Sequence, residues 1–371
     1  MEKNFFYAKN MTVGYHEKTI VENINIQLNK GEILTIIGPN GSGKSTIMKS
    51  IAKHIRLLRG SVWLNEKDMS KMSGNEIAKT LSIVLTQHPH TERLSCEDVI
   101  SIGRYPYTGK FGILSAEDKE KVYEAMKLVH VFEFRNRDFN EISDGQRQRV
   151  LLACAVCQEP EVILLDEPTT FLDIKYKLEL LSILKIMARE KQITIIMSLH
   201  ELDLAQKISD FVLCVKNGQI EKQGVPAEIF TTSYIRQLYH ITEGSYNDTF
   251  GCAEMKPQTG EPEVFVIAGG GSGIHIFRLL QRKGIPFAVG VLHENDIDFE
   301  LAKMIANEVI AEKSFEPIGE ESVEKAKKIL NRCKKVVCCL KEFGTMNHRN
   351  SELIEYAKNI NLSVLPQEEF F

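Results

Sequence analysis

The sequence predicts an α/β protein of two domains, and three observations carry that prediction. The stretch Gly38-Pro39-Asn40-Gly41-Ser42-Gly43-Lys44-Ser45-Thr46 follows an apolar strand-like run at 32–37 and leads into an apolar run of helical period. Strand-like runs then alternate with helix-like segments through residue 222. A second alternation starts at Glu263 and opens on another glycine cluster, Gly269-Gly270-Gly271-Ser272-Gly273. At 371 residues the chain is also longer than one ordinary hydrophobic core.

The first glycine stretch fits G-x-x-x-x-G-K-[ST], the phosphate-binding P-loop. Glycines let the backbone turn tightly around phosphate oxygens. Amides at the following helix N-terminus face the anion, and the helix dipole favours its charge. Lys44 is expected to reach the β- and γ-phosphates, and the Ser45 hydroxyl to ligate Mg²⁺. The chain therefore handles a nucleoside triphosphate.

Composition sets the outer limits. Apolar residues make up 43% and charged residues 26%, as in ordinary globular proteins. A formal charge of -4 argues against nonspecific nucleic-acid binding as the main role, so no nucleic-acid partner is expected. No apolar run reaches the ~20 residues that span a bilayer, and Met1-Glu2-Lys3-Asn4 has no secretory pattern. A cytoplasmic protein is expected, peripheral on a membrane if a partner supplies the spans. Cys154 and Cys157 form a C-x-x-C inside an apolar helical run with no second pair or nearby histidine, so they read as buried hydrophobes. Cys338 and Cys339 would point to opposite faces of a strand, a poor arrangement for joint ligation.

Taken in order, residues 5–28 alternate polar and apolar around a turn at Gly14-Tyr15-His16-Glu17, which predicts antiparallel strands. Short strands follow at 61–64 and 81–85. Residues 97–134 read as mainly helical, with a loop near 106–112, and another helix starts near Asp144. Strand 162–165, helix 175–190, strand 193–198 and helix 201–207 come next. Strands 211–216 and 219–222 are joined by Asn217-Gly218, a strong hairpin signal. Two short helices, from Pro226 and Ser233, close the region. Residues 242–262 are rich in glycine, proline, threonine and acids and read as a loose connection. The expected division is a domain at 1–245, a linker at 246–262 and a domain at 263–371.

The first two-thirds of the chain resembles the ATP-binding subunit of ABC transporters, motif by motif and in order. The resemblance implies a RecA-like P-loop core with antiparallel β and helical subdomains. Tyr15 lies where the family stacks an aromatic on adenine, and Gln87 resembles the Q-loop glutamine that contacts Mg²⁺ and the attacking water. Ser143-Asp144-Gly145-Gln146 resembles the signature L-S-G-G-Q, with Asp144 in place of the usual second glycine. An acid there is unfavourable beside phosphate unless its side chain turns away, for instance as a helix cap. Val162-Ile163-Leu164-Leu165-Asp166-Glu167 resembles Walker B, with Asp166 beside Mg²⁺ through water and Glu167 as general base. Phe171-Leu172-Asp173 resembles the D-loop, and His200 the switch histidine of the γ-phosphate. Together these imply two ATP sites in a head-to-tail homodimer, each built from Lys44 and Mg²⁺ of one copy and Ser143 and Gly145 of the other. Catalysis would then rest on positioning and charge stabilisation.

Val99-Ile100-Ser101-Ile102-Gly103-Arg104-Tyr105-Pro106-Tyr107 resembles the helical-subdomain segment of importers for iron chelates and cobalamin. That implies a membrane permease as partner and, through it, an extracytoplasmic substrate-binding protein. The competing class is a soluble ABC ATPase acting on nucleic acid or the ribosome. Such proteins usually carry two cassettes or a coiled-coil insertion, and this chain has one cassette and no heptads between Gln87 and Ser143.

From Glu263 onward, strands at 264–268, 287–292, 335–340 and 362–365 alternate with helices at 274–282, 320–331 and 351–360, which predicts a small doubly wound domain. Its glycine loop partly matches a dinucleotide fingerprint, with Glu294 near the place of a ribose-binding acid, but Ile274 stands at the third glycine. The loop Lys341-Glu342-Phe343-Gly344-Thr345 is expected to line the same crevice. No catalytic set stands out, so a regulatory domain with a small-molecule effector is the expectation.

Overall fold

The computed structural model describes residues 5–85, 93–109 and 111–370, and the chain divides into two compact units, Met1–Phe230 and Thr231–Phe371. The first opens with antiparallel strands β1 (Phe6–Tyr15) and β2 (Lys18–Leu28), which turn their alternate apolar residues inwards. β3 (Ile33–Ile37) is buried at every residue and feeds α1 (Lys44–Ile51). β4 (Arg59–Leu64) pairs with β1, and β5 (Lys67–Asp68) with β4. α2 (Gly74–Thr80), started by a Ser73/Glu76 capping box, leads into β6 (Leu81–Val84). The helical subdomain comprises α3 (Cys96–Ser101), a 3₁₀ stretch Ile102–Tyr107 that takes in Pro106, and α4 (Ala116–Leu128).

The signature segment starts α5 (Asp144–Cys157). β7 (Val162–Leu165), α6 (Ile174–Arg189), β8 (Thr194–Ser198) and α7 (Leu202–Ile208) complete the core. The hairpin β9 (Phe211–Lys216) and β10 (Gln219–Gly224) turns through Asn217 and Gly218, both at positive φ (50° and 77°), as the Asn-Gly pair predicts. α8 (Pro226–Ile229) ends the unit.

The ten strands form one sheet in the order β5-β4-β1-β2-β10-β9-β3-β8-β7-β6. Within it β9, β3, β8, β7 and β6 run parallel, so β3, β7 and β8 deliver their C-terminal residues to one edge. Arg104 braces the helical subdomain from inside. It is 3% exposed, bonds Asp118 at 2.9 Å and Glu159 at 2.8 Å, and donates to the Cys157 carbonyl at 2.8 Å. Burial pushes the thiols of Cys154 and Cys157 up to about 11 and about 12, which keeps them unreactive.

The second unit starts earlier than the sequence implies. α9 (Thr232–Tyr239) packs on a hairpin, β11 (Gly244–Asn247) and β12 (Cys252–Met255), which occupies the stretch expected to be a loose connection. Tyr246 is the hairpin's one buried large hydrophobe, so period-2 patterning is nearly absent. Polar contacts hold it instead. Buried Glu254 pairs with Arg278, and the buried Asn247 amide donates to the Glu300 carbonyl at 3.2 Å.

β13 (Val264–Ile267), α10 (Ile274–Lys283), β14 (Phe287–His293), α11 (Ile297–Ile305), β15 (Glu308–Glu312), α12 (Glu320–Leu330), β16 (Lys335–Cys338), α13 (Asn350–Asn359) and β17 (Ser363–Pro366) follow. The sheet is parallel throughout, in the order β15-β14-β13-β16-β17, with an apolar cluster on each face. This is the doubly wound arrangement expected from the sequence, with one more strand and helix. β15 is an edge strand that begins and ends on glutamate, and only Ile310 in it is fully buried, so its signal is faint.

Candidate nucleotide site

The P-loop leaves β3 and wraps onto α1 through Gly38, Gly41 and Gly43, whose φ angles are 148°, 76° and 105°. A Cβ at Gly38 would lie 2.0 Å from the Val215 carbonyl, and one at Gly43 would lie 2.4 Å from Val21. One at Gly41 would meet nothing within 4 Å, so that turn of the loop faces open space. Asn40 is exposed there, Pro39 half-buried and Thr46 buried. Lys44 folds over the loop, its Nζ donating to the carbonyls of Gly38 at 2.9 Å and Pro39 at 3.2 Å. Burial lowers the Lys44 pKa, while Glu167 and Asp166 pull it back up. The Ser42 hydroxyl is buried and unpaired among the described residues.

Asp166 follows the all-apolar β7 and accepts hydrogen bonds on Oδ1 from Ser45 at 3.0 Å and Ser198 at 2.9 Å. Glu167 stands at φ 50°, and its amide donates to Ser198 Oγ at 2.9 Å. Its carboxylate contacts Nε2 of His200 through Oε1 and accepts from Thr170 Oγ1 at 3.4 Å through Oε2. Helix start, Walker carboxylates and histidine thus converge. Among the described residues no other group of this kind forms around a glycine loop that also carries a lysine.

Ser198 was not singled out from the sequence. Its signal is the register: Leu165 pairs with Met197 in parallel strands, which sets Ser198 beside Asp166. A second supporting set was also missed. Glu201 accepts from Thr169 at 2.7 Å and from Lys177 at 2.6 Å; burial pushes its carboxyl up, but those two partners outweigh burial and hold it below the usual range.

Tyr15 ends β1 and is 44% exposed, available to a flat ligand. Gln87 lies outside the described residues. Ser143 caps α5: its hydroxyl accepts from the Gln146 amide at 3.3 Å, and Gln146 Oε1 accepts from the Ser143 amide at 3.0 Å. The cap is therefore Ser143, not Asp144. Asp144 is the first helical residue and turns to Arg147, 2.8 Å away, because one side chain already satisfies the cap. Gly145 packs against Leu172 and Tyr176, where a Cβ would stand 3.2 Å from Leu172. Asp173 caps α6 through the Tyr176 amide at 3.0 Å, and Phe171 before it is 71% exposed at φ 65°. In the second unit Glu294 is exposed, and Asp296 rather than Glu294 reaches the glycine loop.

Residues 21–170 match the ABC transporter family, and residues 287–370 match a family described as the MJ0874 family. An ABC transporter ATP-binding protein of Methanocaldococcus jannaschii is 38% identical over 286 residues, covering 77% of this chain and 99% of the relative. The iron(3+)-hydroxamate import ATP-binding protein of Bacillus subtilis is 37% identical, covering 64% of this chain and 88% of the relative. The ferric enterobactin transport ATP-binding protein of Escherichia coli is 32% identical, over 63% and 86%. Among solved structures, a metal-chelate type ABC transporter in an inward-facing conformation aligns with TM-score 0.58 and 25% identity, over 64% of this chain and 90% of that one. A dimeric bacterial ABC transporter cassette aligns with TM-score 0.54 and 26% identity, over 60% and 98%.

Proposed function

We propose that this chain, which belongs to the ATP-binding proteins of ABC transporters, is the ATP-hydrolysing subunit of an importer for an iron chelate or cobalamin-type cargo. The observation that carries the reading is the convergence of Ser45, Asp166, Glu167 and His200 at the start of α1. The similar import proteins named for iron(3+)-hydroxamate and ferric enterobactin support the cargo class. No described helix is long and apolar enough to cross a membrane, so the spans belong to a separate permease in this reading. The cassette then sits on the cytoplasmic face of the cell membrane, and an extracytoplasmic binding protein delivers cargo to the permease.

In the proposed mechanism Tyr15 stacks on the adenine, and the loop amides with Lys44 hold the phosphates. Lys44 would exchange its two carbonyl contacts for phosphate oxygens, a charge-assisted bond. Ser45 and Asp166 offer oxygen donors 3.0 Å apart and fit a hard cation, with Gln87 as a further candidate. Mg²⁺ held there would neutralise charge on the β- and γ-phosphates. Glu167 accepts the proton of the attacking water, and His200 orients that carboxylate and contacts the γ-phosphate. Ser198 positions both acids through Asp166 Oδ1 and the Glu167 amide. Ser143 and Gly145 of a second copy close the site over the γ-phosphate, and Asp173 lies along the same homodimer interface.

Glu167→Gln tests the base. The expected outcome is retained ATP binding, an ATP-trapped dimer in size-exclusion chromatography, and hydrolysis reduced about 10²- to 10⁴-fold. Normal turnover in that variant would refute the assignment.

We read the second unit as regulatory. A truncation that tests this should end at Phe230 rather than at Pro262, because the longer fragment keeps buried Glu254 without Arg278. ATPase activity unchanged by that truncation under all effectors would sink the regulatory reading.

A further inference from the structure

The glycine loop of the second unit is already occupied by the protein's own acids. The Gly270 amide donates to both oxygens of Asp296, at 3.0 and 2.8 Å, and the Gly273 amide donates to Asp298 at 3.0 Å. Gly269 donates to Ser272 Oγ at 3.2 Å. A dinucleotide's diphosphate needs these same amides and would meet two carboxylates. Asp298 is fully buried, its second oxygen has no partner among the described residues, and burial with the nearby Asp296 raises its pKa.

Beside this loop lies a cavity of about 420 Å³, the size of a small-ligand site, outside the carboxyl ends of the parallel strands. Its lining is divided in character. Gly270, His293, Asn295 and Asp296 supply polar groups, and Ile297, Phe315 and Met346 supply apolar ones. These three are exposed large hydrophobes, and Phe315 is 78% exposed. Phe315 also stands at φ 65°, a conformation bulky residues rarely adopt, so the backbone holds a bare aromatic ring at the cavity wall against local preference. The run His293-Glu294-Asn295-Asp296-Ile297-Asp298 contains three acids and no lysine or arginine. His293 faces a carbonyl, that of Glu316, at 2.9 Å.

We propose that this cavity binds a planar organic cation, held between the face of Phe315 and the carboxylate of Asp296. An aromatic face and a carboxylate both attract positive charge, and the apolar rim takes the flat body of the ligand. An anion would meet Asp296 with the loop amides already spent. The inference stands independently of the ATPase reading.

The test is a charge series on one ring: 1-methylnicotinamide, nicotinamide and nicotinate, titrated calorimetrically into the full chain. The cation should bind most tightly and the anion most weakly. Phe315→Leu keeps an apolar side chain at an exposed position and should weaken the cation roughly 3- to 30-fold, while Phe315→Trp should preserve or tighten binding. Asp296→Asn should weaken the cation and narrow the gap between cation and anion. The proposal is overturned if nicotinate binds as well as the cation, if Phe315→Leu binds it like the parent, or if none of the three binds at millimolar concentration.

Discussion

The molecule contains two strand–glycine loop–helix turns, and they solve the same electrostatic problem in opposite ways. At Gly38–Gly43 the loop leaves a face open at Gly41 and adds a cation, Lys44, which rests on the carbonyls of Gly38 and Pro39. At Gly269–Gly273 there is no lysine, and the amides of Gly270 and Gly273 are taken by Asp296 and Asp298. Both helices present positive N-terminal ends. One end is kept for an incoming phosphate, and the other is neutralised from within. A glycine pattern therefore reports the shape of an anion cradle and not its vacancy; the next βα loop decides which outcome holds.

Lys44→Ala is the sharpest way to break the comparison. Removing a charge-assisted contact to phosphate should weaken ATP binding by about 10- to 100-fold, measured by equilibrium dialysis of the full chain. ATP binding at parent strength would show that Lys44 does not hold the phosphates and would remove the cation from the comparison.

A smaller effect is expected from Asp298→Asn. The folded-state pKa of Asp298 lies above its unfolded value, so the folded chain binds more protons between the two. Its contribution to stability is then fully present below about 3.9, the unfolded value, and is lost as pH rises through the folded one. Asparagine keeps an oxygen for the Gly273 amide without the ionisable group. The variant should be more stable than the parent at neutral pH, with the advantage shrinking as pH falls towards the unfolded value. Urea unfolding of the second unit at several pH values reads this directly, and a variant destabilised at neutral pH would show that the carboxylate is needed as an anion plug.

The two units also differ in how much of them could be read from sequence. The cassette's strands stand out because β3, β7 and β8 are buried at every residue and bounded by polar turns. Its proposed chemistry lies in contiguous motifs, so the sequence marks Lys44, Asp166 and Glu167 as candidates. Ser198 could not, since its meaning comes from lying beside Asp166 across two parallel strands. In the second unit the hairpin Gly244–Met255 was illegible because the pairing of buried Glu254 with Arg278, and buried Asn247, hold it more than apolar periodicity does. α11 and the edge strand β15 were missed as well. With them went the fact that decides the glycine loop, because Asp296 and Asp298 belong to the turn that begins α11.

A third helix N-terminus tests how far an acid's effect depends on burial. Asp144 sits in the first turn of α5, as Asp298 does in α11, but its side chain is 54% exposed and paired with Arg147. An exposed i,i+3 pair contributes little, about 0–1 kcal/mol, and Ser143 already satisfies the cap. Asp144→Gly should therefore lower stability only slightly, by about 1 kcal/mol at most. If the carboxylate stays turned to Arg147 when two cassettes close, the ATPase rate should also stay within a factor of roughly three, less than 0.7 kcal/mol in the barrier. A rise well beyond that would place Asp144 against the phosphate of the partner copy, and its repulsion there would make it a brake on closure.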